Sequence, residues 1–225
     1  MKYIWLILAL ALKVSATGKP NILFIMADDL GWMDLACQGN KLVETPHLDR
    51  LAKQGMRFTD AYAAAPVCSP TRCAVLTGQA PARIGLTTHL PGLFFPKDGR
   101  SQPAKLVPQL NTEHVTIAER LKEADYASAF LGKWHIAPGV GRSGKVADEV
   151  SPIGQGFDLN VGGTSYGGPP SFFSPYRNGE LTDGPDGEYL PDRLVDETIR
   201  FIKANKDKPW MTHLWFYTVH WPMQA

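Results

Sequence analysis

The 225-residue chain is poor in cysteine, has almost no net charge and lacks a long apolar run, and each shortage narrows what it can be. Three cysteines, Cys37, Cys68 and Cys73, are too few for a disulfide scaffold, and an odd count in an exported chain leaves at least one thiol to explain. Twenty-three Lys plus Arg against 22 Asp plus Glu give a net charge of +1. No global field therefore points to nucleic acid or to a membrane surface, and any anion recognition must be local. The apolar run Tyr3 to Leu12 is too short for a membrane anchor, because the ~30 Å hydrocarbon core takes roughly 20 apolar residues as a helix.

That run sits behind the amino terminus and Lys2 and is followed by the small residues Val14-Ser15-Ala16, the pattern of a secretory signal peptide. The expectation is a leader over residues 1–16, a folded part over 19–225, a periplasmic or extracellular location, and no membrane span after cleavage.

With 44% hydrophobic and 20% charged residues, the remainder has the composition of one ordinary folded domain. Ile22 to Ala27 is a continuous apolar run suited to a strand covered on both faces. Thr45-Pro46 opens a helix that Gly55 closes, and Met56 to Tyr62 reads as a short strand. Pro70 to Thr77 reads as a helix whose first turn follows Cys68-Ser69 and which ends at Gly78. Thr116 with Glu119 makes a capping box, Ala127 to Leu131 a strand, and Asp192 to Ala204 a helix; Trp210 to Val219 follows as a strand. Residues 139–186 are rich in Gly, Pro, Ser and Asn and read as loops. This order predicts an α/β fold, a sheet with helices on both faces and ligands at the carboxyl ends of its strands.

Polar residues cluster at those ends. Asp28-Asp29 follows the first strand, and adjacent carboxylates suit a hard cation such as Ca²⁺ or Mg²⁺, although on the dipeptide alone a solvated turn with a helix cap is the commoner explanation. Cys68 at a helix N-terminus, with Arg72 one turn on, favours an anion nearby, either a thiolate or a bound oxyanion. Taken alone, Cys68 is a thiol nucleophile or a small buried hydrophobe.

The longer runs are more specific. Pro66-Val67-Cys68-Ser69-Pro70-Thr71-Arg72-Cys73-Ala74-Val75-Leu76-Thr77-Gly78 resembles the first signature of the type I sulfatases, relatives of the alkaline phosphatases, at every specified position. Asp125 to His135 resembles their second signature; Asp125 stands where Gly is usual and Leu131 where a smaller or branched residue is, but Gly132-Lys133-Trp134-His135 is intact. Pro20 to Phe24 before Asp28-Asp29-Leu30-Gly31-Trp32, Thr45 to Asp49, and His220-Trp221-Pro222 extend the likeness over nearly the whole mature chain.

The resemblance implies a mixed, mostly parallel sheet of the alkaline-phosphatase-like sulfatase fold. It also implies hydrolysis of sulfate esters by a Ca²⁺-dependent enzyme, Mg²⁺ being the alternative ion. Cys68 would be oxidised to formylglycine by a maturation enzyme, its partner; one hydroxyl of the aldehyde hydrate attacks sulfur and the other later expels sulfate, whereas a plain Ser or Cys would stay sulfated. Carried over residue by residue, Asp28 and Asp29 hold the metal beside Cys68, and Arg72 steadies the nucleophile. Lys133 contacts sulfate, His135 assists the hydrate and His220 is the acid for the leaving oxygen. The substrate would be a sulfated small molecule or glycan, with a sulfated carbohydrate favoured. A phosphatase or phosphodiesterase of the same superfamily and an inactive homologue that only binds sulfated ligands are the other readings. His47, His89, His114 and His213 carry no motif and read as structural or surface residues.

One part of the family pattern is absent: no Asp-Asn or Asp-His pair, the usual later metal ligands, occurs in the chain. The expectation is a C-terminally truncated catalytic domain, with Asp28 and Asp29 short of partners, sheet edges uncovered and poor stability in isolation.

Overall fold

The computed structural model describes residues 18–92, 102 and 104–224, so the leader expected over residues 1–16 lies outside the described residues. Among the described residues, no helix is long and apolar enough to cross a membrane. In chain order the elements are β1 (Ile22–Met26), α1 (Pro46–Gln54), α2 (Cys68–Thr77), α3 (Pro81–Ile84), α4 (Ile117–Lys122), β2 (Ala127–Gly132), β3 (Leu159–Val161), α5 (Leu190–Ala204) and β4 (Trp210–Trp215). The four strands lie in the order β1-β4-β2-β3 and every pairing is parallel.

Side-chain alternation along the central strands divides the interior in two. Phe130, Met211 and Trp215 face one way and join Cys73 and Leu76 of α2 and Ala118 of α4. Ala129, Leu131 and Leu214 face the other way and meet Leu190 and Leu194 of α5. Both faces of β2 and β4 are thus covered by helices, as the element order predicts.

The capping box at Thr116 and Glu119 forms in both directions. Helices α2 and α5 each begin two residues before the expected start, and β4 ends at Trp215 rather than at Val219. The strand expected over residues 56–62 is absent: Met56, Phe58 and Tyr62 are 74% or more exposed and no ladder partner meets them. Within residues 139–186 a 3-10 turn at Asp148–Val150 and the short strand β3 interrupt the loops. Nor is β1 covered on both faces. Among the described residues it is an edge strand paired with β4 alone, and although Phe24 stacks on His213, Leu23 and Ile25 are about half exposed. An apolar run of strand length is therefore compatible with an open edge as well as with a central position.

At the end of β2, Gly132 has φ +100°, and a Cβ there would lie 2.0 Å from the Trp215 carbonyl oxygen. Only glycine permits β2 and β4 to stay paired while the chain turns toward Lys133. Gly132→Ala should lower stability in urea denaturation by at least ~2 kcal/mol, since both a left-handed backbone and a backbone clash are involved; a change below ~0.5 kcal/mol would contradict this reading.

Candidate active site

The sheet ladder continues past the strand ends and places the polar residues. Phe216 N donates to Met26 O, Asp28 N to Thr218 O, and Val219 N to Asp28 O, which holds Asp28 beside the segment carrying His220. Lys133 N donates to Trp215 O and His135 N to Thr164 O, fixing the residues after β2 in the same layer. Asp29 and His135 take left-handed backbones, with φ of 58° and 53°, conformations that bulky residues hold only where their surroundings over-determine them.

Helix α2 enters from the opposite side with Cys68 as its first residue. Neighbouring side chains pin it there. Ser69 Oγ donates to His135 O at 2.7 Å and accepts from Leu90 N at 3.0 Å, while Thr71 Oγ1 donates to Ala65 O at 2.7 Å. Ser69 is fully buried, and both of its bonds serve to join three loops.

A buried ionic cluster lies between helix and sheet. Asp28 is 5% exposed; its Oδ1 is 3.2 Å from Arg72 Nη2, and its Oδ2 accepts a short hydrogen bond from Lys133 Nζ. Arg72 also donates from Nη1 to Lys133 O at 2.7 Å, and its guanidinium carbon lies 5.1 Å over the Trp215 ring. Lys133 Nζ reaches Cys68 Sγ at 3.3 Å. Burial alone would raise the Asp28 carboxyl, but the Arg72 and Lys133 charges outweigh it and hold the group below its usual range. For Cys68 the balance goes the other way: burial pushes the thiol up in spite of Lys133.

His135 donates from Nε2 to Leu90 O at 2.8 Å, so its buried Nδ1, which has no partner, carries the lone pair. Burial, with the Lys133 charge second, lowers its pKa to about 4. His220 Nε2 lies 3.7 Å from Asp29 Oδ2, and ligand atoms of Asp28, Cys68 and His220 all fall within 4.8 Å of one another. Carboxylate oxygens suit a hard cation such as Ca²⁺ or Mg²⁺, whereas the thiol and imidazole suit softer metals; Asp29 is not one of the three residues in this group.

All seven expected residues, Asp28, Asp29, Cys68, Arg72, Lys133, His135 and His220, thus converge at the carboxyl end of the sheet. One expectation needs correction. Asp28 is not short of partners, because Arg72 and Lys133 already neutralise it. Arg72 contacts Asp28 and the Lys133 carbonyl, and its charge also acts on Cys68. His89, which has no motif to mark it, lines the same cleft of about 540 Å³ as Asp29, Cys68, His135, Tyr166 and His220. His213 is structural as expected, buried and stacked on Phe24. All three cysteines are free, and Cys73 lies in the core with its thiol pushed up to about 12 by burial.

This architecture has relatives. The family model described as Sulfatase matches residues 20–225. The chain belongs to the sulfatase family. The steryl-sulfatase of Mus musculus is 44% identical over 152 residues, covering 65% of this chain and 22% of that protein. Arylsulfatase A of Homo sapiens is 41% identical over 157 residues, covering 70% and 28%. Among solved structures, Ps i-CgsB in complex with k-i-k-neocarrahexaose superposes with a TM-score of 0.70 at 30% identity, over 92% of this sulfatase chain and 47% of that one. The matched regions therefore span about a quarter of those two curated relatives' length and about half of that solved structure.

Acid should destabilise this sulfatase chain through its buried histidines. His135 and His213 both have pKa values near 4 against 6.5 for the free side chain. Between those values the unfolded state binds more protons, so stability is full above pH 6.5 and falls as pH drops toward 4. His213→Phe should remove one proton's share of that decline, about 1.4 kcal/mol per pH unit, from the stability measured by urea denaturation at each pH. An unchanged slope would contradict the assignment.

Proposed function

We propose that the protein to which this chain belongs hydrolyses sulfate esters, R–O–SO₃⁻ to R–OH plus sulfate, with Cys68 acting after conversion to formylglycine by a maturation enzyme. The observation that carries this reading is the placement of Cys68 at the N-terminus of α2, 3.3 Å from Lys133 and within ligand distance of Asp28 and His220. Helix N–H groups and an ammonium together favour a sulfate anion at that point. A thiol held above its ordinary pKa is a poor nucleophile as it stands.

The roles follow the family resemblance, and for Lys133 and Arg72 the contacts support them. Lys133 reaches both the Cys68 position and Asp28, so it can bind a sulfate oxygen beside the nucleophile. Arg72 keeps Asp28 ionised and aligned. His135, neutral with Nδ1 free, can take a proton from a hydroxyl on residue 68. His220, about a quarter exposed on the cleft wall, can protonate the leaving oxygen. Asp28 and Asp29, beside Cys68, would hold Ca²⁺, with Mg²⁺ as the alternative; when bound, the ion supplies stabilisation of charge developing on the sulfate oxygens. The substrate class is a sulfated small molecule or glycan, in line with a relative named N-acetylgalactosamine-6-sulfatase and with a solved neighbour bound to D-glucosamine-2-N, 6-O-disulfate. Export to the periplasm or extracellular space follows from the leader pattern in the sequence.

A phosphatase of the same superfamily would normally use a Ser or Thr hydroxyl. Here the adjacent Ser69 hydroxyl is fully buried and committed to His135 O and Leu90 N, which argues against that reading. Mass spectrometry of the Cys68 peptide after co-expression with a formylglycine-generating enzyme tests the proposal. Replacement of the sulfur by an aldehyde oxygen that reacts with a hydrazide is the expected result; a thiol intact in every preparation would overturn it.

A further inference from the structure

Before any conversion residue 68 carries sulfur, and the side chains around it then form a donor set that sulfate-ester hydrolysis does not call on. Ligand atoms of Asp28, Cys68 and His220 lie within 4.8 Å of one another and comprise a carboxylate oxygen, a thiol sulfur and an imidazole nitrogen. No other group of three such side chains meets this spacing among the described residues. A tetrahedral Zn²⁺ with bonds of about 2.0 to 2.3 Å sets its ligand atoms roughly 3.3 to 3.8 Å apart. Small side-chain rotations therefore suffice to close the three around one ion.

The imidazole is already set for coordination. His220 Nδ1 donates a short hydrogen bond to Trp221 O, which leaves the lone pair on Nε2. Metal-bound histidines are oriented in the same way, by a carbonyl or carboxylate on the second ring nitrogen. With the ring neutral, Nε2 and Asp29 Oδ2 are two acceptors 3.7 Å apart, a pairing that a nearby cation stabilises. Cys68 and His220 both line the cleft of about 540 Å³, which gives an ion its approach.

The donors also decide the class of ion. A hard cation finds in this trio a single oxygen donor, from Asp28, whose charge Arg72 and Lys133 already neutralise. A borderline metal finds sulfur and nitrogen as well.

We propose that the unconverted chain binds Zn²⁺, or another thiophilic divalent cation, through Cys68 Sγ, His220 Nε2 and the Asp28 carboxylate, with water as the fourth ligand. The Cys68 proton leaves to solvent as the Zn–S bond forms, and no oxidation state changes. Lys133 Nζ, 3.3 Å from Sγ, gives up part of that contact to the ion. The site needs only the thiol, so it stands or falls independently of the sulfate-ester reading.

The test uses the full chain produced without a maturation enzyme and kept reduced, titrated with Co²⁺ as a coloured substitute for Zn²⁺. The expected result is a thiolate-to-cobalt charge-transfer band that saturates at a stoichiometric amount, disappears on addition of Zn²⁺ and persists in excess Ca²⁺. Cys68→Ser should abolish the band, and Cys37→Ser, at the other partly exposed thiol, should leave it. His220→Ala should weaken Co²⁺ at least about tenfold, since loss of even a hydrogen-bond partner behind a ligand costs that much. Absence of the band, a band that follows Cys37 rather than Cys68, or Co²⁺ affinity indifferent to His220→Ala overturns the site. Displacement of Co²⁺ by Ca²⁺ overturns its thiophilic character.

Discussion

The site is organised around one buried carboxylate. Asp28 would be costly to hold in the interior as an isolated anion, and it stays ionised only because Arg72 from α2 and Lys133 from the end of β2 converge on it. Each of those cations would be equally costly without Asp28, since both side chains are 1% exposed or less. Helix α2 and the strands β1 and β2 are thus locked into one relative position by charge, and Cys68 is placed as a consequence. The Trp215 ring beneath Arg72 adds a cation–π contact from β4, so every strand except β3 contributes to the cluster.

The glycine and left-handed positions around the cluster follow from the same constraint. Gly132 lets β2 turn against the Trp215 carbonyl so that Lys133 points inward. His135 follows on a strained backbone, its ring closed over by Gly167, where an added Cβ would lie 2.7 Å from the imidazole. The Gly-Lys-Trp-His run is therefore a packing solution as well as a source of polar groups for the candidate site: Trp134 is fully buried and sends its Nε1 proton to Val150 O.

Much of this was legible in the sequence because the informative residues are local. The Thr116 capping box, the helix through Cys68 and Arg72 and the apolar runs of β1, β2 and β4 each carry their signal within about ten residues of chain. The full run from Pro66 to Gly78 is what singles out Cys68, otherwise an ambiguous thiol, as the expected modification site. Long-range partnership was not legible. Nothing in the spacing shows that Arg72 serves Asp28, that Ser69 bridges His135 and Leu90, or that His89 faces the cleft, because these depend on loops brought together only by the fold. The strand expected over residues 56–62 failed for a related reason: β-propensity describes a residue's fit to a sheet surface, and no sheet edge meets that segment.

A double-mutant cycle on Asp28→Asn and Lys133→Met, read by urea denaturation, is the most direct test that the Asp28 cluster is a single electrostatic unit. If each group exists to neutralise the other, the double variant will be at least about 1 kcal/mol more stable than the sum of the single losses requires. Simple additivity, within about 0.5 kcal/mol, would contradict the account.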